Sequence, residues 1–200
     1  PLFPYTPLFR SLPPTLKEAV IVLLLKPGKP PNLCTSYRPF SLLNLDTKIL
    51  AKAIATHLSL LLEQILSTAQ TAFVPHRCTS LNLRTIFTTL TQITPSIPAV
   101  VAQLDTEKEF DSPEWQFLRA MLNKLGAPRG FTKLVMLLYS EPTARLRING
   151  TLTKPFSISR GTRQGCPLST LLFIEAMDPL IRHLHENHLH RGLQFSSVSS

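Results

Sequence analysis

The 200-residue sequence predicts an α+β domain. Apolar residues recur at helical spacing over several long stretches, and short apolar or alternating runs bounded by Pro, Gly and Asn lie between them. The two kinds of segment mix without the strict strand-helix alternation of a doubly wound sheet. With 44% apolar residues and a mean hydropathy of +0.11, a real core can be buried and disorder is not the default.

After a Pro-rich lead-in that ends at Pro14, the apolar run 19–25 predicts a strand, closed by the turn signal Lys26-Pro27-Gly28-Lys29-Pro30. From Thr47, with Asp46 as its N-cap, Ile49, Leu50, Ala53, Ile54, Leu58, Leu61, Leu62 and Ile65 predict a long amphipathic helix. A second helix is predicted from Ser80 through Leu83, Ile86, Phe87, Leu90 and Ile93, stopped by Pro95. The apolar faces of these helices are expected to be core. Beyond Pro98, residues 99–104 read as a strand that ends in Asp105.

A third helix has Ser112 as its expected cap, Pro113 at its first position and Gly126 just past its end. Residues 131–139 predict a fourth. Residues 144–148 carry Arg145 and Arg147 at alternate positions, and Asn149-Gly150 signals a two-residue hairpin turn before a return strand at 152–159. The result is a hairpin with one basic face. Beyond Gly161 a loop leads into a helix through Leu171, Leu172, Ile174, Met177 and Leu180, in which Pro179 is expected to introduce a kink.

The net charge of +9 directs a polyanion such as nucleic acid or anionic lipid to the surface, although general surface basicity accounts for the total equally well. Its distribution is more informative. Asp105, Glu107, Glu109, Asp111 and Glu114 make a local acidic cluster in a basic chain, which suits metal ions presented to a phosphate substrate. Cys34, Cys78 and Cys166 form no C-x-x-C pair, which suggests neither a disulfide framework nor a zinc site and points to a reducing compartment. The spacing of His183, His185, His188 and His190 does not place three of them on one helical face. No apolar run is long enough to span a bilayer, and no charged-then-apolar leader opens the chain. Pro at position 1 and a polar run at the end suggest a piece of something longer.

Two segments are the most specific: Leu104-Asp105-Thr106-Glu107-Lys108-Glu109-Phe110-Asp111 and Arg160-Gly161-Thr162-Arg163-Gln164-Gly165-Cys166-Pro167-Leu168-Ser169. They follow, in order, Leu25-Lys26-Pro27-Gly28-Lys29, the run from Ser36 to Asn44, and Gln70-Thr71-Ala72-Phe73-Val74-Pro75-His76-Arg77. This series of blocks resembles the reverse-transcriptase domain of LINE-1-like non-LTR retrotransposons, over nearly the whole chain. Group II intron maturases share several blocks, but the wording here fits LINE elements better.

The resemblance implies a right-handed polymerase fold. Residues 1–16 would be a Pro-rich lead-in, 17–98 fingers, 99–190 a partial palm with the helices that join it to the fingers, and 191–200 a truncated tail. The implied parent activity is Mg²⁺-dependent addition of deoxynucleotides to a DNA primer on an RNA template, in an intracellular ribonucleoprotein of the nucleus or cytoplasm, with no membrane partner. Asp105 would be the catalytic metal ligand. Lys26 and Arg38 would clamp the triphosphate, Phe110 would exclude a ribose 2′-hydroxyl, and Gln164 and Gly165 would lie against the nucleotide. Arg145, Arg147, Arg160 and Arg163 would contact template backbone.

Each role has a plainer rival: a capping or surface carboxylate for Asp105, a core ring for Phe110, solvated cations for Lys26 and Arg38, a turn glycine for Gly165. The sequence also departs from the family. A Tyr-x-Asp-Asp block is absent from the 200 residues, Glu109 stands where a small residue is usual, Ala72 where Gly is, and Thr170 where Pro is. These departures suit a decaying copy. They leave two functional readings: an inactive polymerase fragment that lacks its C-terminal palm and thumb, or a catalytically dead nucleic-acid-binding module derived from one.

Overall fold

β1 (Glu18–Leu25) is an inner strand of a five-stranded sheet, with a neighbour along each edge. On one side β2 (Tyr37–Leu43) runs antiparallel to it, placing Leu24 opposite Arg38 and Ala19 opposite Leu43. On the other side β3 (Thr143–Ile148) runs parallel, placing Ala19 opposite Ala144 and Val22 opposite Arg147. The computed structural model describes residues 11–93 and 101–186. Pro95, Pro98, Ala99, Val100, His188, His190 and the 191–200 tail lie outside them.

β2 is not among the predicted elements, because Pro39 interrupts its pattern. Proline is tolerated there since β2 lies at the sheet edge. The Asn149-Gly150 turn forms as predicted, with φ of 49° and 82° at the two residues. The return strand is corrected. It is split into β4 (Thr151–Leu152) and β5 (Phe156–Ser157), both paired with β3, because Pro155 between them has no amide to donate.

Besides a one-turn helix, α1 (Pro14–Lys17), four helices bury a face in one core. They are α2 (Leu45–Ile65), α4 (Trp115–Lys124), α5 (Arg129–Leu137) and α6 (Ser169–Glu186). The buried positions of α2, Ala51, Ile54, Ala55, Leu58 and Leu62, repeat every three or four residues and pack beside Leu171, Leu172 and Ile174 of α6.

Several predicted boundaries move for identifiable reasons. The cap of α2 is Asn44 rather than Asp46: the Asn44 Oδ1 accepts from the Asp46 amide at 3.0 Å, and Asp46 sits in the first turn, where a carboxylate complements the helix dipole. α4 starts at Trp115 rather than at Pro113, because the Pro113 carbonyl accepts from the Gly161 amide instead of a helical one. Ser112 is not the cap; its hydroxyl donates to the Lys108 carbonyl. Gly126 does close α4, at φ 78°. α6 runs through Pro179.

Two expectations fail. α3 (Thr79–Gln92) forms, but it buries no residue, and Leu83, Ile86, Phe87 and Leu90 are exposed rather than core. No described element covers that face. The predicted strand at 99–104 is also absent from its described part, where Val101 and Leu104 are 62% and 82% exposed. A strand needs a facing edge for its amides and carbonyls, and none of the described strands pairs with residues 101–104.

Candidate active site

The β1–β2 connection forms one wall of a cleft. Gly28 takes φ 72° at its tip, a conformation that costs a residue without Cβ little. Lys26 is half-buried at the end of β1, where its amide bonds the Ser36 carbonyl and its Nζ donates to the Thr35 carbonyl at 3.0 Å. The Tyr37 hydroxyl donates to the Pro31 carbonyl and fastens the loop. Arg38 stands exposed on β2 with no ion pair or hydrogen bond among the described residues, so its guanidinium is available to a ligand.

The opposite wall is the 105–111 turn. Lys108, at φ 53°, accepts through its carbonyl from the Asp111 amide and the Ser112 hydroxyl. The Phe110 carbonyl accepts from both the amide and the hydroxyl of Thr162, and its ring is half-buried with its centroid 5.9 Å from that of Phe173. Gly161, at φ 88°, lies so close to this turn that a Cβ would sit 2.9 Å from the Asp111 Cα and the Phe110 oxygen. The Trp115 indole N–H donates to the Gly161 carbonyl at 2.8 Å and locks the same junction to α4.

The floor comes from Gln164 and Gly165. The Gln164 carbonyl accepts from the Ser41 amide on the free edge of β2 at 2.8 Å. At Gly165, φ 101°, a Cβ would lie 2.8 Å from the Phe40 ring and 2.9 Å from the Ser41 oxygen. The glycine is therefore required for close approach to β2 rather than for a free turn.

The cleft, of about 550 Å³ and open to solvent, is lined by Lys26, Arg38, Asp105, Phe110 and Gln164, together with Glu107, Glu109 and Asp111. Five of the residues selected from sequence thus share one concavity despite coming from three distant segments. Carboxylates and cations both line it, an arrangement able to take a ligand that carries both phosphate and a bound cation. Gly165 buttresses the floor from behind. Among the described residues no three potential metal ligands converge, so Asp105 offers a single hard oxygen donor and not a complete ion site.

The basic residues divide. Arg147 and Arg160 are exposed, whereas Arg145 is half-buried and its Nε is paired with Glu18 at 3.1 Å. Arg163 is a correction: it is 7% exposed, and its Nη2 donates to the Lys17 and Leu138 carbonyls at 3.0 and 3.4 Å. An arginine held inside the protein cannot reach template backbone. It secures the segment that carries Gln164.

Two residues with structural weight are absent from the sequence reading of the site. Arg77 inserts its two Nη atoms among the carbonyls of Glu63, Leu66, Ser67 and Gln70, closing the C-terminal end of α2. Glu175 is fully buried on α6, neither carboxyl oxygen has a partner, and burial pushes its pKa up to about 8. An acidic residue inside an apolar helical run is the one signal that marks it.

Residues 24–197 match the family described as reverse transcriptase (RNA-dependent DNA polymerase). The chain is 34% identical over 172 residues to the transposon TX1 uncharacterized 149 kDa protein of Xenopus laevis, covering 86% of this chain and 13% of that protein. It is 29% identical over 177 residues to the retrovirus-related Pol polyprotein from type-1 retrotransposable element R2 of Nasonia vitripennis, covering 86% of this chain and 16% of that one. With the corresponding polyprotein from the type-2 retrotransposable element R2DM of Drosophila melanogaster, identity is 38% over 84 residues, 42% of this chain and 8% of the relative. The chain therefore spans only 8 to 16% of the length of these relatives.

Proposed function

Since the chain belongs to the reverse transcriptase (RNA-dependent DNA polymerase) family, of the kind carried by non-LTR retrotransposons, we propose that its cleft binds a deoxynucleoside triphosphate at the junction of an RNA template and a DNA primer. One observation carries the reading: Lys26, Arg38, Asp105, Phe110 and Gln164 line a single cleft. In this reading Arg38 grips phosphate oxygens as a fork, Lys26 adds a point charge, and the Phe110 ring sits beneath the sugar and disfavours a 2′-hydroxyl. Gln164 lies against the base, held there by the packing of Gly165 on β2, with Arg147 and Arg160 on template backbone. Residues 17–98 act as fingers and 99–190 as part of the palm.

Reverse transcriptases as a family use Mg²⁺, which neutralises the triphosphate and orients it for in-line attack. Asp105 is the residue that would hold it here. Among the described residues no further ligands converge with that carboxylate, which alone does not make a two-metal site, and the 200 residues contain no Tyr-x-Asp-Asp. This chain by itself is therefore proposed to bind substrate without incorporating it, in an intracellular ribonucleoprotein whose remaining palm and thumb come from the rest of a parent polyprotein.

The test is titration of the purified chain with a deoxynucleoside triphosphate and Mg²⁺. Saturable binding, weakened about tenfold or more by Arg38→Ala and made less Mg²⁺-dependent by Asp105→Asn, is expected from loss of a charge-assisted fork. Binding indifferent to both substitutions would reject the cleft. Salt-sensitive RNA binding with no nucleotide binding would select the second reading, a nucleic-acid-binding module without chemistry.

A further inference from the structure

A second basic cleft lies toward the C-terminal end of α4. It is an open cleft of about 510 Å³ lined by Arg119, Asn123, Gly126, Ala127, Arg129, Thr132 and Lys133, sharing no residue with the Asp105 cleft. α4 touches the Gly161 loop through Trp115 at its start. Arg119 and Asn123 follow one and two turns later on a helix roughly 15 Å long, so the second cleft is displaced along α4 from that junction.

Three features of this cleft work against the stability of the empty protein. Arg119, Arg129 and Lys133 are exposed and have no ion pair or hydrogen bond among the described residues, and no carboxylate lines the cleft. Arg129 and Lys133 are spaced i, i+4 in the first turns of α5, so they repel each other and oppose the positive end of that helix. That end has no acidic residue in its first turn and no side-chain cap, since its N-cap is Pro128. Independently, Thr132 is 3% exposed, and its Oγ1 has no hydrogen-bond partner. A buried hydroxyl left unpaired carries a desolvation cost, and because Thr132 lines this cleft, a turn of its side chain toward an acceptor seated there would remove it.

One ligand chemistry answers all of these: a phosphate, bringing negative charge and several acceptor oxygens to a helix N-terminus flanked by cations. We propose that this cleft is a phosphate-binding site that seats a backbone phosphate of a nucleic-acid strand, apart from the nucleotide cleft. The phosphate chemistry stands on the geometry alone. Only the choice of nucleic acid as its source rests on the polymerase reading and the net charge of +9.

The test uses the full 200-residue chain, labelled with ¹⁵N and titrated separately with inorganic phosphate, a short single-stranded RNA and an acidic peptide. The proposal expects the Arg129, Gly130 and Thr132 amides to shift with both phosphate and RNA, RNA saturating at the lower concentration. In parallel, the triple variant Arg119→Gln/Arg129→Gln/Lys133→Gln is expected to weaken RNA binding several-fold and to flatten the slope of log K against log salt by about 1. Its nucleotide binding at the Asp105 cleft should be unchanged. Amide shifts with phosphate but not RNA, or with the acidic peptide but not RNA, overturn the assignment, as does an unaltered salt slope in the variant. Loss of nucleotide binding through Arg38→Ala reports on the other cleft, so the two readings fail separately.

Discussion

Thr162 donates both its amide and its hydroxyl to the carbonyl oxygen of Phe110, and this bond pair joins the Asp105 turn to the segment that carries Gln164. The 101–106 segment has no regular secondary structure, so the turn that follows it is positioned largely by what grips it. Gly161 allows the contact by letting backbone meet backbone. Gly161→Ala puts a Cβ 2.9 Å from Phe110 and Asp111 at a positive φ. A loss of roughly 1 to 3 kcal/mol or more is expected, read from denaturant melts, together with weakened nucleotide binding. Unchanged binding in a destabilised variant would show that the turn does not shape the cleft.

Arg163 and the exposed arginines should separate cleanly. Arg163→Ala removes a buried guanidinium from two carbonyl acceptors and is expected to lower stability by about 2 kcal/mol or more. Arg147→Ala and Arg160→Ala should leave the melt within about 0.5 kcal/mol. Each should instead lower RNA affinity and flatten its salt slope by about 1. Equal effects on the salt slope from all three would mean that burial does not keep Arg163 from the template.

Glu175 makes stability depend on pH in a defined direction. Its folded-state pKa of about 8 lies above the ordinary value of 4.5, so the stability it permits is fully present below about pH 4.5 and is lost as pH rises through 8. The unfolded chain ionises first and draws the equilibrium toward itself. Glu175→Gln should therefore be more stable than the parent by about 3 kcal/mol at pH 7, with the difference vanishing near pH 4. Chemical denaturation across that range checks it; a difference independent of pH would place the cost in shape and not charge.

Arg77 should not be replaceable by lysine. Its planar fork serves four carbonyls at the end of α2, whereas an ammonium reaches fewer of them. Arg77→Lys and Arg77→Ala are both expected to lower stability, by about 1 and about 3 kcal/mol. If lysine restores full stability, the multiple bonds to Arg77 are not what holds this end of the helix.

What the sequence by itself determined was set by local chemistry. The strand at 19–25, the helices expected from near 47, 80, 113 and 131 and through Leu171, and the Asn149-Gly150 turn follow from periodicity and turn residues, which depend on neighbours along the chain. The order of the blocks also singled out Lys26, Arg38, Asp105, Phe110 and Gln164, which the fold brings to one cleft. Tertiary structure decided the remainder, because it depends on partners remote in sequence. Whether 101–104 becomes a strand depends on a facing edge, and whether the apolar side of α3 is core depends on what covers it. An arginine's role is likewise set by surroundings. Arg163 and Arg160 look alike in sequence, yet one reaches inward to two carbonyls and the other faces solvent. The basic cleft at α5 exists only because the turn after Gly126 brings Arg119 of one helix beside Arg129 and Lys133 of the next.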